Sequence, residues 1–183
     1  MKPAATKMTY DQYCLLPDDG NQYEVIDGEL FVTPAPSPKH QEIAGELFAL
    51  LKAHVKARRL GKVYIAPVDI LLEEHTIVQP DILFIRQERL GIVGEKKVDA
   101  APDLVIEVLS PSTFYKDLRK KMGAYSQYGV QEYWIVDPER QTIEVHRRGS
   151  QALQLSRSFS SQETFESTLI PGFQFRVGSI FQV

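Results

Sequence analysis

The spacing of apolar and polar positions divides the chain into short elements whose period changes along its length. Thr9-Tyr-Asp-Gln-Tyr-Cys-Leu-Leu16 pairs an N-capping threonine with helical apolar spacing, and Pro17 stops it. Residues 22–33 read as a hairpin in which Asp27-Gly28, a strong two-residue turn signal, joins Tyr23-Glu-Val-Ile26 to Glu29-Leu-Phe-Val-Thr33. Pro34, Pro36 and Pro38 predict a stiff extended connector. From His40 the period turns helical, with Ile43, Leu47, Leu50, Leu51 and Val55 on one face, and it ends near Gly61.

Strand-like runs over 62–72 and 76–85, separated by polar Glu73-Glu-His75, predict a second hairpin. The polar stretch 86–101 reads as an irregular surface excursion. A strand over 102–109 stops at Ser110-Pro111, a helix follows from about Phe114 to Tyr128 with Gly129 at its C-cap, and Gln131-Glu-Tyr-Trp-Ile-Val136 is a further core strand. Strand patterns continue at 142–148, 153–159, 164–169 and 171–177. The order fits an α/β fold, a mixed sheet flanked by helices with β-hairpins added at both ends. We expect one domain over 1–183, with a core at about 40–138 and β additions at 22–33 and 142–177.

Two positions break the apolar pattern. Asp81 in Val78-Gln-Pro-Asp-Ile-Leu-Phe84 and Glu107 in Leu104-Val-Ile-Glu-Val-Leu109 sit in runs that leave water, and a buried carboxylate without a partner is strongly unfavourable. If the two strands are neighbours, the acids converge as a hard divalent cation requires. Asp81, after Pro80, also suits a hydrogen-bonding role at a strand end; Glu107, with apolar neighbours on both sides, is harder to explain that way.

Composition narrows the chemistry. One cysteine, Cys14, excludes an intrachain disulfide and a thiolate metal cage, and His40, His54, His75 and His146 are too scattered to suggest zinc. No apolar run is long enough to span a bilayer and the N-terminus lacks a secretory core, so a cytoplasmic protein without a membrane partner is expected. A net charge of −3 argues against coating nucleic acid by bulk charge, although Lys56-Ala-Arg-Arg59, Glu95-Lys-Lys97, Arg119-Lys-Lys121 and Arg147-Arg148 are either solvated faces or the lining of one groove. No nucleophile elbow, phosphate-binding glycine loop or dinucleotide fingerprint is present. Ser110 and Ser112 suit a turn or helix cap better than a nucleophile, since no histidine is close in sequence.

A third group is expected from the helix after Glu107, whose first turns return over the strand end. At about 100° per residue, Leu118, Met122, Tyr125 and Gly129 share the buried face; Lys121 lies roughly 70° from its centre and Lys120 roughly 170°. Lys121 therefore reaches over the sheet edge, whereas Lys120 points to water. Lys121 also suits a surface pair with Asp117, four residues earlier. Two carboxylates with a lysine suit phosphodiester hydrolysis: Asp81 and Glu107 hold Mg²⁺ or Mn²⁺, and Lys121 orients or helps deprotonate the attacking water or neutralises transition-state charge.

Tyr23-Glu-Val-Ile-Asp-Gly-Glu-Leu30, His40, Pro80-Asp81, the run from Pro102 to Thr113, Asp117 to Tyr125, and Gly129-Val-Gln-Glu-Tyr-Trp-Ile-Val-Asp-Pro138 together resemble the Uma-type "putative restriction endonuclease" family of the PD-(D/E)XK superfamily. The resemblance implies a restriction endonuclease-like fold acting on DNA with a divalent metal, in a homodimer if both strands are cut. It implies Asp81 and Glu107 as the two acids and the Val108 backbone carbonyl as a further metal ligand. The superfamily's strand lysine is replaced by Leu109, and Lys121 followed by Tyr125 matches the helical substitute of this branch. Glu24 and His40 match positions near the site, where capping or packing is an equal alternative, and Ser110 is a further accessory candidate. The superfamily also contains members that do not cut, so the alternative is a non-catalytic nucleic-acid- or protein-binding module on the same fold.

Overall fold

The computed structural model describes residues 7–110 and 115–182, with side chains for all of these except 115–117. Helix α1 (Tyr10–Tyr13) is fixed by a capping box, in which Thr9 and Gln12 satisfy each other's backbone N–H. Strands β1 (Gln22–Ile26) and β2 (Glu29–Thr33) form the expected hairpin, and Asp27 and Gly28 both take positive φ, 54° and 84°, as the tight turn between twisted strands demands.

Helix α2 (Pro38–Arg58) starts earlier than expected. Ser37 accepts the His40 N–H, and Pro38 occupies the first turn, where its missing donor costs nothing, so it belongs to the helix rather than the connector. Ile43, Leu47, Leu51 and Val55 are buried, but Leu50 is exposed because it lies about a quarter turn from the centre of their stripe.

The hairpin expected over 62–85 is corrected by the structure. Each run breaks in two, giving β3 (Gly61–Ile65) with β4 (Ile70–Glu73) and β5 (Thr76–Val78) with β6 (Ile82–Arg86). The breaks fall at Pro67 and Pro80, which bring no N–H to a ladder. The Ala66 N–H donates to the Asp81 carbonyl at 2.8 Å and ties the two breaks together. As a result β4 and β5 join the N-terminal hairpin in a four-stranded sheet, β2-β1-β5-β4, while β3 pairs with β6 in another. The stretch 86–101 contains a 3₁₀ turn, Gln87–Ile92, and Val98 bridges to Ile70.

Strands β7 (Leu104–Val108), β8 (Glu132–Asp137), β9 (Thr142–Arg148) and β10 (Leu153–Ser160) complete a six-stranded sheet ordered β10-β9-β8-β7-β6-β3. β7 and β8 are parallel and joined through α3 (Tyr115–Tyr128); the other neighbours are antiparallel. Strands β11 (Thr164–Glu166) and β12 (Gln174–Arg176) form a separate pair. The fold is the expected α/β type, a mixed sheet flanked by helices.

Alternation along the central strands gives each face its own core. Ile82, Phe84, Leu104, Ile106, Trp134 and Val136 pack against α2 and the aromatic cluster of Phe159, Phe165, Phe173 and Phe175. Leu83, Ile85, Val105, Tyr133 and Ile135 pack against Ala124 and Tyr125 of α3 and against Ile26, Ile70 and Val78 of the smaller sheet. Glu107 follows Val105 on this second face, so burial places its carboxylate beneath α3 and beside β1. Among the described residues, no helix is long and apolar enough to cross a membrane.

Candidate functional site

Ile82 of β6 pairs with Ile106 of β7 in antiparallel register. One step further, at the strand ends, Asp81 and Glu107 fall on the same face, where directly opposed residues are neighbours. Asp81 Oδ2 accepts the Val108 N–H at 2.7 Å, so Asp81 is held to the strand that carries Glu107. Both acids border a cavity of about 290 Å³, together with Glu24, His40, Ser110 and Lys121.

Glu107 is 8% exposed and is held from α3. Its Oε1 accepts from the Lys121 ammonium and from the Tyr125 hydroxyl, each at 2.9 Å. Lys121 and Tyr125 meet one carboxylate because four residues is about one helical turn. The same ammonium is 2.8 Å from Oε2 of Glu24 on β1, and Glu24 Oε1 accepts the Gln79 N–H at 2.7 Å. One lysine thus joins two buried acids from different sheets. Lys120 is directed elsewhere: it pairs with Glu29 and lies 4.6 Å from the centre of the Phe31 ring rather than standing free in water. The side chain of Asp117 and all of Ser112 lie outside the described residues.

His40 enters from the first turns of α2. Its Nε2 is 2.9 Å from the Val108 carbonyl and 3.2 Å from Asp81 Oδ2. A carbonyl only accepts, so Nε2 carries the proton, while the buried Nδ1 has no partner among the described residues. His40 therefore holds the orientation of Asp81 and of the Val108 carbonyl together.

The charge balance distinguishes this site from other buried acids. Asp103 is met by Arg86 and Arg89, and Glu132 by Arg147. Glu24, Asp81 and Glu107 instead share Lys121 and the His40 imidazole. Burial, followed by the charges of Asp81 and Glu24, pushes the Glu107 carboxyl up to about 7, with Lys121 pulling the other way. Burial also opposes the Lys121 charge, but Glu107 and Glu24 outweigh it and hold the ammonium well above the ordinary lysine value. For His40, burial is likewise outweighed, by Asp81 and the Val108 carbonyl, and the pKa rises.

No group of three or more His, Cys, Asp or Glu side chains among the described residues is arranged to hold a metal ion. The oxygen donors here are two carboxylates and one carbonyl. That set fits Mg²⁺ or Mn²⁺, which take hard oxygen ligands and keep several waters, and the crowding that raises Glu107 is what an added cation relieves. Ser110 borders the cavity. Gln79 was missed from sequence: the role comes from its backbone N–H, which any residue but proline supplies, so no side-chain signal marks it. Glu24 was found through resemblance alone, although its place between Tyr23 and Val25-Ile26 is the same intrusion of charge into a strand that drew notice at Glu107.

A family model described as "Uma2: Putative restriction endonuclease" matches residues 9–178. A crystal structure described as a putative nuclease belonging to DUF820 from Anabaena variabilis superposes with a TM-score of 0.78 at 23% identity, over 95% of this chain and 97% of that one. At that identity the likeness is one of fold. No functionally curated protein matches the chain.

Proposed function

This chain belongs to the Uma2 family, and from that premise we propose that it is a divalent-metal-dependent endonuclease that hydrolyses DNA phosphodiester bonds. The observation that carries this reading is the convergence of Asp81, just before β6, Glu107, on β7, and Lys121, on α3, on one cavity. Asp81, Glu107 and the Val108 carbonyl would hold the metal. When bound, it supplies Lewis-acid polarisation of the phosphate and makes an attacking water more acidic.

The chain's own groups do the rest. Lys121, held cationic by two carboxylates, offsets negative charge developing on the phosphate and orients the water. Tyr125 and Lys121 fix the Glu107 carboxylate, Glu24 fixes Lys121, and His40 fixes Asp81. Only cleavage of both strands at one position calls for two such sites, which a homodimer would supply; nicking one strand needs a single site.

One observation favours the rival, a binding module that keeps the fold without cutting: Asp81 Oδ2 and the Val108 carbonyl already accept hydrogen bonds from within the chain. Supercoiled plasmid separates the two. With Mg²⁺ the wild type nicks it, and EDTA or Glu107→Ala abolishes nicking. A wild type that binds plasmid without nicking it in Mg²⁺ or Mn²⁺ supports the module.

A further inference from the structure

A second cavity, of about 730 Å³, opens beside the first, and Gln22, Pro36, His40, Gln79 and Asp81 border both. Its volume is within the range of about 300–1,000 Å³ typical of sites for small organic ligands. Three tyrosines line it. Tyr10 and Tyr13 lie nearly parallel, 21° apart with ring centres at 6.1 Å, and Tyr23 comes from the neighbouring strand. The polar part of the wall is fixed: Tyr13 and the Gln79 side-chain amide both donate to Asp69 Oδ1, at 2.7 and 2.6 Å.

The charge of this lining selects its ligand. Asp18, Asp69 and Asp81 stand against Lys96, the single lysine or arginine among the lining residues, and the His40 imidazole beside Asp81, so the wall favours hydrogen-bond donors over a phosphate. Carboxylate oxygens instead accept from amino and imino groups, and aromatic faces stack on planar rings. A flat, uncharged heterocycle bearing N–H donors satisfies both.

We propose that this cavity receives an unstacked nucleobase next to the phosphodiester being cut, so that the substrate is DNA that is single-stranded or locally unpaired at the cleavage position. The proposal rests on the endonuclease reading for the neighbouring site. A base inside an intact duplex is stacked and paired, and extruding it costs a few kcal/mol, a cost that unpaired DNA largely avoids. Asp81 and His40 stand where the two cavities meet, so a base in one brings the adjoining phosphate to the other.

The test measures binding in EDTA, where no strand is cut, with a fluorescent single-stranded 12-mer and the duplex of the same sequence. The single strand binds at least tenfold more tightly. Tyr23→Ala weakens single-strand binding by about tenfold, while Tyr23→Phe, which keeps the ring, restores it; Tyr10, whose ring already stacks on Tyr13 and carries the Lys97 ammonium 5.3 Å from its centre, contributes less, and Tyr10→Ala weakens binding by a smaller factor. Cys14, the chain's single cysteine, is exposed and lines this cavity, so its alkylation by N-ethylmaleimide is slowed by the single strand and not by the duplex. Equal affinity for strand and duplex, or unchanged binding by alanine variants whose melting temperature matches wild type, overturns the proposal. Adding Mg²⁺ to the same samples separates the two claims. Cleavage without any effect of the tyrosine variants sinks the base cavity alone, whereas the tyrosine effects without cleavage keep a base-binding cavity and sink the nuclease reading, and with it the placement of the base at a cleavage position.

Discussion

The Lys121 ammonium, on α3, lies 2.9 Å from Oε1 of Glu107, on β7, and 2.8 Å from Oε2 of Glu24, on β1. Glu24 and Glu107 are buried and the Lys121 side chain is 12% exposed, so their charges interact with little screening and each depends on the others. This one cation joins the central sheet, the smaller sheet and the helix between β7 and β8.

Removing Lys121 therefore leaves two buried carboxylates without their cation. Lys121→Met is expected to destabilise the protein by about 3–5 kcal/mol, the usual cost of breaking a buried ion pair from one side. Adding Glu24→Gln recovers part of that loss in urea unfolding but leaves DNA cleavage at least a hundredfold down, because the charge facing the phosphate is still gone. A double variant that cleaves at the wild-type rate would make Lys121 purely structural.

Tyr125 and Tyr133 are fully buried neighbours, with ring centres 5.1 Å apart, but their hydroxyls differ. The Tyr125 hydroxyl donates to Glu107, while that of Tyr133 has no partner among the described residues. Tyr125→Phe should cost about 1.5–3 kcal/mol, the worth of a hydrogen bond to a charged group, and Tyr133→Phe should be neutral or mildly stabilising. Chemical denaturation of both variants checks this, and equal losses would contradict the assigned hydrogen bond.

Most of this arrangement was legible in the chain, for reasons that also explain the failures. Glu107 could be found because a carboxylate inside an apolar strand needs a partner, and Lys121 because helical phase sets it apart from Lys120. The same phase reasoning failed at Leu50, where a residue at the margin of the apolar stripe stays exposed. Apolar character runs on across Pro67 and Pro80, so the sequence pattern shows two long strands over 62–85 where the fold has four, and the assignment of each half to a sheet depends on partners distant in sequence. Glu24 entered through resemblance, since nothing local shows that β1 crosses beside α3.

The pH dependence has a definite sign. Burial first, and then Asp81 and Glu24, raise the Glu107 carboxyl from 4.5 to about 7. Between those values the folded protein keeps a proton that the unfolded chain has released, so this contribution to stability is complete below 4.5 and is lost as pH rises to about 7. His40, also raised, acts in the same direction, its contribution fading as pH passes its folded-state value. The metal-free melting temperature should therefore fall between about pH 5 and pH 8, and Glu107→Gln should flatten the fall. A divalent ion favours the ionised carboxylate, so Mg²⁺ should raise the melting temperature more at the higher pH. A larger rise at the lower pH would contradict this account.

The central claim is that Asp81 and Glu107 share one divalent ion, and it is tested most directly by titrating Mn²⁺ into the wild type, Asp81→Asn and Glu107→Ala, following free Mn²⁺ by its EPR signal. Losing a residue that merely supports a ligand lowers metal affinity about 10–100-fold, so losing a ligand should cost at least as much. The account predicts one site in the wild type and an affinity at least tenfold weaker in each variant. Equal affinity in the wild type and Glu107→Ala would contradict it.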